Sequence, residues 1–67
     1  MDYKLLYYVV PSESFEAEDR VFLKDVKYPV YDKNGHSLLI AENGEFYFTN
    51  ELMQQTIKSW ELTVIES

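Results

Sequence analysis

The chain contains only two glycines, and each directly follows an asparagine, as Asn34-Gly35 and Asn43-Gly44. This dipeptide supplies two consecutive left-handed residues at low steric cost. It therefore closes two-residue turns whose twist matches that of the flanking strands. Each pair lies between apolar runs, which predicts two successive hairpins and a three-stranded meander over roughly 28–33, 36–42 and 45–49. Two-residue turns would pair Lys33 with His36 and Glu42 with Glu45. Counting outward, Tyr31 faces Leu38 and Val30 faces Leu39. Across the second hairpin Leu39 faces Phe48, Ile40 faces Tyr47, and Ala41 faces Phe46.

Because side chains alternate along a strand, this register sorts the meander into two faces. One carries Tyr28, Val30, Leu39, Ala41, Phe46 and Phe48, and is the expected core. The other carries Tyr31, Leu38, Ile40 and Tyr47, with Lys33, His36, Glu42 and Glu45 at the turn ends. An antiparallel sheet usually keeps one face wet, yet neither face here is polar. The second must lie under another element, in a subunit contact, or open to a partner. Pro29 lacks a ladder donor and needs an edge or a bulge.

The remaining elements follow from residue type. "YKLLYYVV", residues 3–10, is aromatic and β-branched, stops at Pro11, and reads as a central strand. "SESFEAEDR", Ser12 to Arg20, reads as a solvated loop pinned by Phe15, and "RVFLKDV" resumes a strand pattern. Thr49 or Asn50 can cap a helix with Glu51 in its first turn, and Met53, Ile57 and Trp60 recur at helical spacing. "WELTVIE" then favours a closing strand, with a helix continuing to the C-terminus as the alternative. The expected fold class is mostly β (α+β). It consists of a small antiparallel sheet or an SH3-like barrel, with a central hairpin meander and one short helix before the last strand. Residues 1–67 make one small domain.

A domain of this size buries only about 60% of the surface its unfolded chain exposes. There is no cysteine and a single histidine, His36, so neither disulfides nor a cysteine-based zinc site can staple it. No cofactor is expected, and no catalytic or metal site. The two glycines are spent on turns, which leaves no phosphate-binding loop. "DKNG" has too few carboxylates for a calcium loop. No nucleophile is placed to form a relay with His36. The longest apolar run, Leu5 to Val10, is far short of the roughly 20 residues that span a bilayer. With no export signal and no cysteine, the expected location is cytoplasmic.

Twelve Asp and Glu stand against six Lys and Arg, a net charge of -6. Such a surface repels phosphate backbones and anionic membranes, so neither direct nucleic-acid binding nor membrane binding is expected. A basic protein partner fits instead. The expected function is a small binding protein, not an enzyme, that regulates or inhibits a basic, nucleic-acid-handling protein through its negative surface. Glu13, Phe15, Glu16, Glu18 and Asp19 are the candidate contact residues. The composition is similar to that of small acidic proteins that block DNA enzymes by imitating DNA, common among phage products. The alternative is a self-associating structural or assembly module, a homodimer joined through Tyr31, Leu38, Ile40 and Tyr47.

Overall fold

A computed structural model describes residues 3–66 of the chain. The elements run β1 (Tyr3–Pro11), β2 (Phe15–Ala17), β3 (Arg20–Phe22), β4 (Tyr28–Lys33), β5 (His36–Ile40), β6 (Glu45–Thr49), α1 (Asn50–Ser59) and β7 (Leu62–Ile65). Five strands form one antiparallel sheet in the order β6-β5-β4-β1-β7, and β2 with β3 forms a separate hairpin. The fold is thus mostly β with a short helix before the last strand. Among the described residues β6 and β7 do not pair with each other, so the sheet stays open and does not close into a barrel.

The first Asn-Gly pair forms the expected turn. Lys33 pairs with His36, and Asn34 and Gly35 are both left-handed, with φ of 54° and 81°. The second pair corrects the register derived from sequence. Glu42 does not face Glu45; the ladder ends at Ile40–Glu45, and Leu39 faces Phe46 where Phe48 was expected. A four-residue loop, 41–44, replaces the two-residue turn, closed by Ala41 N donating to Gly44 O at 2.7 Å. The cause is tertiary. The Asn43 side chain is engaged by the β2–β3 hairpin and cannot serve a type I′ turn. The slip is two residues, an even number, so the division into faces survives it.

Strand β1 lies between β4 and β7, and a bulge between Leu5 and Tyr7 breaks its pairing with β4. An extra residue in a bulge inverts the alternation beyond it. Tyr3 and Leu5 therefore share a face with Tyr8 and Val10, while Tyr7 and Val9 point to the core. This explains why "YKLLYYVV" shows no simple alternation. Pro29 pairs with Tyr8 on one side, one residue beyond the last β4–β5 pair, so its missing donor interrupts no second ladder.

Thr49 caps α1, its Oγ1 accepting from Leu52 N at 3.2 Å. Met53 is buried, and Ile57 and Trp60 pack on the same cluster. The helix stops after one last turn: Trp60 N donates to Thr56 O at 2.9 Å and Glu61 N to Lys58 O at 3.2 Å. Glu61 then turns left-handed, φ 53°, and the β-branched run Thr63–Val64–Ile65 leaves as a strand beside β1. The continuous-helix alternative is not what the chain does. Ser37 Oγ donates to Asn50 Oδ1 at 2.8 Å and ties the helix start to β5.

The helix and the β2–β3 hairpin together cover one face of the sheet. Val9, Phe22, Val30, Leu39 and Met53 are fully buried between these layers. At about 25 cal/mol per Å² of apolar surface, each contributes about 1.5–3 kcal/mol. Aromatic rings fill the seam under the hairpin: Phe22 packs on Phe15 at 5.1 Å, on Tyr28 at 5.1 Å and on Trp60 at 5.8 Å. Among the described residues no layer covers the other face of the sheet.

Candidate functional site

The acidic stretch is a hairpin, where the sequence suggested a loop. Phe15 pairs directly with Phe22, Glu16 with Val21 and Ala17 with Arg20. Alternation points Phe15, Ala17 and Phe22 toward the core, while Glu16 is exposed. The turn is Glu18-Asp19, and both residues are left-handed, with φ of 46° and 66°. Glycine or asparagine normally holds such positions, and L-residues without local compensation lose roughly 1–2 kcal/mol there. Asp19 tolerates the left-handed region, but Glu18 is a poor former of such a turn.

The 41–44 loop holds that hairpin in place. Val21 N donates to Asn43 Oδ1 at 2.9 Å, and Asn43 Nδ2 donates to Asp19 O at 2.9 Å. Glu42 N donates to Val21 O at 3.0 Å. Arg20 lies across the loop, its Nε donating to Glu45 O at 3.3 Å and its guanidinium 5.9 Å from the Phe46 ring. Gly44 lets the Arg20 side chain lie this close; a Cβ there would meet Arg20 Nε, and the flexible guanidinium end would have to swing aside. Tyr28 Oη accepts from Leu23 N at 2.6 Å and donates to Glu42 Oε2 at 2.7 Å. Burial raises the Tyr28 pKa above its ordinary value; the Leu23 donor opposes this and the Glu42 carboxylate adds to it. Burial likewise raises Tyr7, against the hydrogen bond from Gln54.

Beside the hairpin a groove of about 270 Å³ opens between two aromatic rings, lined by Ser12, Glu13, Phe15, Ser59, Trp60 and Glu61. Phe15 and Trp60 meet edge to face at 5.3 Å and are both half-buried, so each contributes to the core and to the groove wall. Glu13 and Glu61 are exposed at its rim. The volume falls just under the roughly 300–1,000 Å³ of small-molecule pockets and suits one long side chain.

The structure therefore brings Glu13 and Phe15 together in the groove and sets Glu16, Glu18 and Asp19 along the adjoining hairpin. Phe15 is not a projecting anchor, because most of its ring packs on Phe22 and Trp60. Sequence reasoning missed Trp60 and Glu61 as site residues. Part of a signal was present: Glu61 follows the helical spacing that ends at Trp60, where the dipole favours cations over a carboxylate; its left-handed φ of 53° emerges only in the structure.

The alternative residues lie on the uncovered face. Leu38 is only 4% exposed and Tyr47 is 53% exposed, with Tyr31 and Ile40 between. Tyr47 lies flat: its ring stacks on His36 at 4.9 Å and its Oη donates to Lys33 O, two strands away, at 3.4 Å. Leu38 is thus shielded by neighbouring rings, not by the helix. Among the described residues no three His, Asp or Glu side chains gather into a metal-binding group, and no helix is long and apolar enough to cross a membrane. Comparisons with models of protein families, with curated proteins and with solved structures find no match.

Proposed function

We propose that this protein is a non-enzymatic binding protein whose groove takes an arginine or lysine side chain of a basic partner protein. The observation that carries the reading is the pairing, in one groove, of aromatic walls (Phe15, Trp60) with rim carboxylates (Glu13, Glu61). A cation gains from ring faces and carboxylates together. The adjoining Glu16, Glu18 and Asp19 extend the negative surface and speed encounter with a positive one. Partners that handle nucleic acid present cationic segments of this kind. Occupying such a segment regulates or inhibits them, without this chain touching nucleic acid itself. The reading sets the activity in the cytoplasm, in keeping with a chain that uses no cysteine.

Trp60 is the only tryptophan, so its fluorescence reports directly on the groove. Titration with a short arginine-rich peptide should change Trp60 emission, and affinity should fall as salt rises and the Debye length shortens. Glu13→Gln with Glu61→Gln should weaken binding by about tenfold, taking up to about 1 kcal/mol for each exposed pair. Binding that leaves Trp60 emission unchanged, or that ignores the double neutralisation, sinks the groove reading. Micromolar affinity for duplex DNA or RNA would contradict the charge argument behind it.

A further inference from the structure

The uncovered sheet face lies on the opposite side from the groove, and its register can be read strand by strand. One row crosses four strands as Tyr47–Leu38–Tyr31–Leu5. A neighbouring row carries Ile40, Pro29, Tyr8 and Ile65, and Tyr3 adds a ring 6.0 Å from Tyr31. These side chains are mostly half-buried to exposed, and among the described residues no element lies over them. Among the sheet strands, only Glu45 brings a carboxylate to this side. Lys33 and Lys27 flank it, 5.2 Å and 5.8 Å from the Tyr3 and Tyr8 rings. The three hairpin carboxylates, Glu16, Glu18 and Asp19, belong to the layer on the other face.

We propose that this face is the contact between two copies of the chain, packed sheet to sheet about a two-fold axis. Two arguments select a second copy. The first is area. Five strands about 4.8 Å apart and three same-side rows about 6.8 Å apart make a face of roughly 24 by 20 Å, about 480 Å². Against a total accessible surface of 4454 Å², that is about the tenth of a small protein's surface that a specific interface covers. Two copies bury roughly 1,000 Å², the lower bound for specific association. The second is charge. Copies with a net charge of -6 repel through every acid-bearing surface, and this side has shed its acids. The row through Leu38 and Tyr31 crosses the centre of the face and packs on its own symmetry mate, with the sheets aligned at about 30°.

Sedimentation equilibrium from about 1 µM to 1 mM tests this, with mass rising from the 8.0 kDa of one chain toward twice that. Tyr47→Lys, checked for folding by circular dichroism, should raise the dissociation constant at least about tenfold, since the two-fold axis repeats the loss. Tyr47 also shields Leu38, so a second pair of variants decides if that one unfolds. Ile65→Lys and Leu52→Lys change the net charge equally, but only the first lies on the face, beside Tyr8; Leu52 is exposed on the helix. Ile65→Lys should weaken the dimer by about tenfold and Leu52→Lys should not weaken it. A protein that stays monomeric to about 1 mM overturns the proposal and leaves the face either to another protein or bare under its own tyrosines. Equal effects of the two lysine variants overturn it as well. Neither outcome touches the groove, which has its own readout in Trp60.

Discussion

The two Asn-Gly pairs are identical as dipeptides and different as structures, which one pair of substitutions can expose. At position 34 the residue is left-handed, and among the described residues its side chain makes no hydrogen bond to another strand. Asn34→Gly keeps that conformation, and the strain it relieves offsets the added freedom of the unfolded chain, so stability should stay within about 0.5 kcal/mol. At position 43 the side chain makes two hydrogen bonds of 2.9 Å, to Val21 N and from its own Nδ2 to Asp19 O. Each contributes about 0.5–1.5 kcal/mol net, and their exposure puts them in the lower half of that range. Asn43→Gly should therefore cost about 1–2 kcal/mol, a fall in Tm of roughly 4–16 °C for a domain of this size. Urea unfolding measures both variants, and amide exchange at Val21 should quicken in the second alone. If both variants are equally mild, the hairpin is not held by Asn43 and the account of the four-residue loop is wrong.

Other perturbations have equally definite signs. Glu61→Gly removes a left-handed non-glycine residue and should raise stability by about 1 kcal/mol, or roughly 4–8 °C in Tm, while weakening arginine-peptide binding; a loss of stability would refute the strain argument. Thr49→Ala deletes the helix cap and should cost about 1 kcal/mol in thermal or urea unfolding. Tyr28 and Tyr7 hold their protons above the ordinary value of 10.0, chiefly through burial, whereas the unfolded chain releases them near it. Their contribution is complete below pH 10 and is lost as pH rises beyond it. Unfolding titrations between pH 9 and 11 should show this decline, and Tyr28→Phe should make it shallower.

Most of the fold was legible because its signals are local. Alternation and one Asn-Gly turn are enough to set β4 against β5, and Thr49 with the Met53–Ile57–Trp60 spacing sets the helix. What escaped was tertiary. Asn43 reads as a turn former until Val21 and Asp19 are known to sit beside it. The bulge at Leu6 has no composition signal and appears as failed alternation. The acidic stretch looked like a loop because Glu18 is a poor turn former, and its pairing depends on Phe15 and Phe22 sharing a core. The groove was half legible: Glu13 and Phe15 are near neighbours in sequence, but Trp60 and Glu61 reach them only through the pairing of β7 with β1.

The strand order has a consequence for the time course of folding. Lys33 meets His36 across two residues, whereas Val9 meets Val64 across most of the chain. Loop closure grows by about 0.6 kcal/mol per doubling of length, so the second contact starts about 3 kcal/mol behind the first. The β4–β5–β6 meander thus belongs to the early nucleus, and β7 docks late. Changes in the Asn34-Gly35 turn should then slow folding, and changes at Leu62 or Val64 should mainly speed unfolding. Until β7 arrives, the most apolar strand of the chain, β1, keeps one unpaired edge, the configuration that seeds aggregation. The carboxylates of Glu13, Glu16, Glu18 and Asp19 follow that strand directly in sequence. During this interval they act as gatekeepers, keeping one nascent chain from pairing with another.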